Sequence, residues 1–231
     1  MKLLTTNTKL LKDPKNFLAL GLQLAPYNLS GVANVCPNAS AGCAAACLFS
    51  AGRGRFNNVI QARVNRTKFF FADKKGFFAQ LYKETKAAQR KATKEGKRLA
   101  LRLNTISDIA WEKIKIDGKN VFDTFPDIQF WDYTKSPQRM TAFLNGELPD
   151  NYHLTFSRSE ENESLVKAVV ASNGNVAAVF RGELPKTYMG KPVISGDNSD
   201  LRFLDPKGCI VGLVEKGLAK KDTTGFVLEP N

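Results

Sequence analysis

Cys36, Cys43 and Cys47 fall within twelve residues of a chain that holds four cysteines and a single histidine. Six residues separate the first pair and three the second. Ala44–Ala46 favours a helical turn, which would place Cys43 and Cys47 on one face, a turn apart. Pro37, Asn38, Ser40 and Gly42 form loops, so Cys36 is expected to approach the same point from the loop before it. Thiols gathered in this way suit a soft metal or an iron–sulfur cluster. A structural zinc site brings its thiolates in closely spaced pairs and closes with four ligands. The uneven spacing here favours a [4Fe-4S] cluster held by Cys36, Cys43 and Cys47, its fourth iron open to a small ligand. The plain alternative is three small apolar residues with no shared role. A disulfide framework fits poorly, because the number of cysteines in the motif is odd.

The elements that must position such a site can be read along the chain. Apolar runs at 17–24, 99–104, 128–133, 152–157, 176–180, 192–195 and 209–214 read as strands. Helical stretches lie between them. One starts near Asn57, and a second is capped by Asp73 and stopped by Gly96, with Phe77, Leu81, Thr85 and Ala88 on one face. A short helix is expected around 108–114, another between Ser136-Pro137 and Gly146, and another near 163–172. This alternation predicts an α/β domain over residues 1–231: an incomplete, TIM-barrel-like (β/α) barrel of six or seven mostly parallel strands, or an open doubly wound sheet.

In either architecture, active groups collect at the carboxyl ends of the strands. The cysteine loop, 36–47, follows the first strand. Asn104 and Asp108 follow the second, Asp132 and Lys135 end the third, and Ser157 and Arg158 end the fourth. Arg181 ends the fifth, and Asp197, Asp200 and Arg202 follow the sixth. This ring predicts a small-molecule ligand of anionic or zwitterionic type: arginines clamp carboxylate or phosphate, and aspartates hold hydroxyls or an amine. His153, inside a strand, reads as a satisfied core histidine, and Cys209 as a small core residue.

The charge of +12 makes an anionic partner plausible, and weak, non-specific nucleic-acid binding is expected of it. The cations between Lys83 and Arg98 read as a solvated helix face. The amino terminus lacks the pattern of a signal peptide, and no run is long and apolar enough to span a membrane, so a cytoplasmic protein is expected.

Three cysteines after the first strand of a partial barrel resemble the radical S-adenosylmethionine enzymes, although that family's spacing is C-x3-C-x2-C. The resemblance implies a cluster and a barrel, with S-adenosylmethionine as a candidate cosubstrate. A second resemblance covers nearly the whole chain. Cys36-Pro37-Asn38 through Cys47, Gly52-Arg53-Gly54-Arg55-Phe56, Arg102-Leu103-Asn104, Phe130-Trp131-Asp132-Tyr133-Thr134-Lys135 and His153-Leu154-Thr155-Phe156-Ser157 are similar to the bacteriophage gene product eighty-eight family. So are Asp200-Leu201-Arg202-Phe203 and Lys220 through Phe226. This implies a phage or prophage origin and work in the host cytoplasm. The expectation drawn from these readings is a cluster-binding protein performing redox or radical chemistry on a small ligand at the open iron. Its rivals are a zinc-stabilised nucleic-acid-binding protein and a non-catalytic cluster protein for electron transfer or host takeover.

Overall fold

A computed structural model describes residues 1–7, 9–12 and 16–230. The strands are β1 (Leu4–Thr5), β2 (Phe17–Leu22), β3 (Arg98–Arg102), β4 (Gln129–Thr134), β5 (Tyr152–Ser157), β6 (Val176–Phe180), β7 (Thr187–Tyr188), β8 (Lys191–Ser195), β9 (Ile210–Val214) and β10 (Val227–Leu228). The helices are α1 (Ala41–Ala45), α2 (Asn57–Ala72), α3 (Lys74–Lys94), α4 (Val121–Thr124), α5 (Pro137–Leu144) and α6 (Glu163–Ala171).

All but one of the strands join in the order β1-β2-β3-β4-β5-β6-β9-β8-β7, and β10 pairs with β6. The strands expected from the apolar runs are β2, β3, β4, β5, β6, β8 and β9, and every pairing among them is parallel. The additional β1, β7 and β10 are only two residues long, too short to leave a pattern. The sheet does not close into a barrel. It ends at β1 on one edge and at the β7–β8 hairpin on the other.

Side chains alternate across the sheet, as the period of two requires. One face carries Leu99, Leu101, Phe130, Leu154, Phe156, Ala178 and Phe180 and packs against Phe77, Phe78 and Leu81 of α3, Met140 of α5 and Val166 of α6. The other carries Ala19, Ala100 and Trp131 under Leu201 and Phe203, beside a smaller cluster of Ala177, Cys209 and Val211. The caps follow the sequence. Asp73 accepts the Gly76 N–H at 2.8 Å to open α3, Ser136 accepts the Arg139 N–H at 3.4 Å to open α5, and Gly96 takes a φ of 66° beyond α3.

The fully buried Phe77 lies among the rings of Phe69, Phe70, Phe78 and Trp111, with centroids 5.1–6.5 Å away. Phe77→Ala therefore leaves a cavity that this rigid aromatic cluster fills poorly, at a cost of ~3–5 kcal/mol. Thermal denaturation should show the midpoint falling by ~10 °C or more. An unchanged midpoint would contradict this account of the core.

Candidate functional site at the carboxyl edge of the sheet

The cysteine loop leaves the carboxyl end of β2 and is fastened along its length. The Asp108 N–H donates to the Val35 carbonyl at 2.8 Å. Ser40 Oγ donates to Glu160 Oε2 at 2.8 Å, and the Gly42 N–H to Glu160 Oε1 at 2.7 Å, so a carboxylate from beyond β5 closes the start of α1. Gly42 has no substitute here, because a Cβ would lie 2.2 Å from Thr224 Oγ1 and 2.7 Å from Glu160 Oε1.

The expected helical stacking of Cys43 and Cys47 does not occur. α1 stops at Ala45, and Cys47 is already extended at φ −58° and ψ 137°. Cys36 Sγ is engaged by the backbone, receiving the Tyr27 N–H at 3.4 Å and facing the Ile106 carbonyl at 3.7 Å. The thiols are near enough to raise one another's pKa. Burial acts more strongly still, pushing Cys36 up to about 12 and Cys47 above the usual thiol value. Among the described residues, no group of three or more His, Cys, Asp and Glu side chains is placed to hold a metal ion. The expected [4Fe-4S] centre on Cys36, Cys43 and Cys47 is thereby overturned, and with it the radical or redox chemistry at an open iron. The zinc-stabilised and electron-transfer rivals fall on the same geometry. All four cysteines are free thiols, Cys209 buried beneath the sheet.

Half of the predicted ring, Asn104, Asp108, Asp132, Lys135 and Ser157, is joined in one hydrogen-bonded chain. Asn104 N–H donates to Asp132 Oδ1 at 2.6 Å, while Asn104 Oδ1 receives Ser107 Oγ, the Ile109 N–H and Trp111 Nε1 at 2.9–3.0 Å. Tyr152 Oη donates to Asp132 Oδ2 at 2.9 Å and receives Arg139 Nη2. Arg139 also meets Asp108 at 2.5 Å and Glu112 at 2.8 Å. Asp108 receives Thr134 Oγ1 and the Lys135 N–H, and Lys135 Nζ reaches Ser157 Oγ at 2.8 Å. Burial pushes the fully enclosed Asp132 up to about 7, against the pull of the Asn104 N–H and of Arg102 and Arg139.

Other members of the ring lie apart from this chain. Arg158 donates to the carbonyls of Gly225 and Phe226, and Arg181 meets Glu229 and the Lys220 and Asp222 carbonyls, so both hold the carboxyl-terminal segment. Asp197 pairs with Lys216. Asp200, buried under the opposite face, pairs with Arg102 at 2.9 Å and Lys9 at 3.3 Å, and Arg202 pairs with Asp205 at 3.1 Å. His153 differs from expectation, for its Nε2 is buried with no protein partner.

Between the cysteine loop and the start of α5 lies a cleft of about 330 Å³. Asn34 and Asn38 line it from the loop, Ile109 and Lys113 from the segment after β3, and Ser136 and Gln138 from α5. In its floor Arg139 is shared between Asp108 and Glu112, whereas Lys113 is exposed and makes no ion pair among the described residues. On the inner side of the same loop, Cys47 is flanked by Lys135 and Arg63, whose charges both act to lower its pKa. Arg63 is buried and bonds only to neutral acceptors, Gln23 Oε1 and the Gly54 carbonyl. Sequence reasoning missed Arg63, Glu160 and Arg139. Arg63 had a signal: it shares the buried face of α2 with Thr67 and Phe70 at i+4 and i+7.

Two outcomes follow from this geometry. Gly42→Ala should dislodge the loop from Glu160 and Thr224 and lower stability by ~1–3 kcal/mol. It should also speed the reaction of Cys43 and Cys47 with a disulfide reagent; unchanged thiol rates would separate the loop from its Glu160 anchor. The second outcome concerns His153, whose pKa is held at about 4 by burial, Arg202 and Lys207. The unfolded chain takes up that proton first, so stability should fall by up to ~3 kcal/mol as pH drops from about 6.5 toward 4. Denaturant titrations of the protein and of His153→Gln test this, and an equal acid dependence in both would remove His153 as its source.

Comparison with known proteins adds one finding. No curated protein and no solved structure matches the chain. A family model described as gene product 88 matches residues 1–230. The chain therefore belongs to the bacteriophage gene product 88 family.

Proposed function

We propose that the protein binds a small anionic or zwitterionic molecule in the cleft between the cysteine loop and α5. The observation that carries this reading is the cleft's position and lining: it opens at the carboxyl ends of β3 and β4, with an unpaired lysine and several neutral hydrogen-bonding side chains around it. Its volume of about 330 Å³ suits a metabolite-sized ligand. Carboxyl ends of parallel strands are where open α/β sheets hold their ligands. Lys113 supplies charge, while the amides of Asn34, Asn38 and Gln138 supply orientation. The floor is rigid, with Arg139 shared between Asp108 and Glu112, so it adds no net positive charge and the cationic field over the cleft comes from Lys113. Arg63 and Lys135 behind the loop add to that field. Work in the cytoplasm of the infected cell belongs to the same reading, supported by the phage family and by four thiols that are all free.

Inorganic phosphate and a small dicarboxylate are suitable probes. Either at a hundredfold excess over its dissociation constant should stabilise the fold by ~2.7 kcal/mol and raise the midpoint by ~5–10 °C. Lys113→Ala should abolish most of that shift, whereas Lys115→Ala, two residues away, should leave it intact. No shift with any probe at tens of millimolar, or an equal loss in both variants, would sink the assignment.

A further inference from the structure

Five of the seven basic residues of α3 lie on the side away from its apolar surface; Lys74, at the first position, lies on the apolar side over the Phe70 ring. At ~100° per residue, Phe77, Phe78, Leu81, Thr85 and Ala92 make the stripe that packs on the sheet. Lys75, Lys83, Lys86, Arg90 and Lys94 fall within about 100° of one another on the far side of the helix and are all exposed. The helix has seven basic residues and one acidic residue, Glu84. Glu84 lies off the stripe and is occupied by the N–H groups of Leu3 and Leu4. Among the described residues, none of the five stripe cations forms an ion pair; Lys91, off the stripe, pairs with Glu95.

A solvated helix face ordinarily mixes signs, so that i,i+4 partners stabilise it. Here Lys83 and Lys86, Lys86 and Arg90, and Arg90 and Lys94 are like-charge neighbours, and each pair opposes the helix. The burial of Phe77, Phe78 and Leu81 keeps the helix formed despite them. We propose that this stripe is a docking surface for the phosphate backbone of nucleic acid, used without base readout. It runs about 28 Å along a rigid rod, and Lys86, Arg90 and Lys94 follow one another at about 6 Å. That spacing suits successive phosphates, and releasing their counterions supplies the driving force. A membrane surface is the weaker match. An interfacial helix needs exposed apolar side chains beside its cations, and those of α3 are committed to the core. The inference is independent of the cleft, which lies at the carboxyl edge of the sheet.

The test is fluorescence anisotropy with a labelled mixed-sequence 20-base-pair duplex across a range of salt concentrations. Three to five phosphate contacts give a log–log slope between about −2.7 and −4.5. K83A/K86A/R90A should make that slope shallower by about 2–3 and weaken binding at least tenfold at low salt. The variant should stay folded by circular dichroism, since alanine favours a helix and the three side chains are exposed. K207A/K220A/K221A removes the same charge elsewhere and should alter the slope by less than 1. Equal losses in the two variants would overturn the stripe in favour of net charge. Absence of duplex binding at low salt, alone or with binding to phosphatidylserine vesicles, would overturn the nucleic-acid assignment.

Discussion

The Arg139 guanidinium is the interaction on which the carboxyl edge of this sheet depends. It is 4% exposed and satisfies Asp108, Glu112 and Tyr152 at once. Those partners come from the segment after β3 and from β5, and Arg139 itself lies in the first turn of α5, so one planar fork ties two consecutive crossovers and strand β5 together. Removing one member of such a set leaves the others buried and uncompensated, which costs several kcal/mol. The reach extends further: Tyr152 passes the constraint to Asp132, Asp132 to Asn104, and Asn104 to the loop that carries Trp111. Through Asp108 it also fixes the cysteine loop, whose Val35 carbonyl accepts the Asp108 N–H.

The fold was largely legible because its strands are central and parallel. A strand covered on both faces must be apolar almost throughout, and runs such as Val176–Phe180 have little other way to be buried. Caps were equally readable, since Asp73 and Ser136-Pro137 satisfy helix ends by local chemistry alone. What was not legible depends on long-range placement. The chain passes β9 between β6 and β8 instead of continuing outward, and nothing local to residues 191–214 records that insertion. Likewise β10 enters beside the end of β6 because β5 pairs with β6 only through Phe156 and Ser157, leaving an edge uncovered.

The strand-end ring illustrates how far a topological rule reaches. Of the residues it named, Asn104, Asp108, Asp132, Lys135 and Ser157 are joined in space. It could not tell groups that face a ligand from groups consumed in holding the edge together. Asp132 is wholly buried with three donors on it, and Arg158 and Arg181 are occupied by the terminal segment that β10 begins to close. Exposure and pairing make the distinction: Lys113, an unremarkable lysine in the sequence, keeps its charge unpaired in the cleft.

The cysteines misled for a related reason. Spacing along a chain controls how near three thiols can come, and these do come near enough to sense one another. Metal binding demands in addition that the sulfurs point at one centre, and that depends on the backbone between them. The loop devotes its backbone to other ends. Ser40 and Gly42 turn toward Glu160, α1 ends before Cys47, and Cys36 turns to the Tyr27 N–H. With burial holding Cys36 and Cys47 protonated, neither thiol cancels the charges of Lys135 and Arg63 beside Cys47. The loop is thus a neutral wall backed by the buried Arg63 and the half-buried Lys135, and the electrostatics of the carboxyl edge follow from that arrangement.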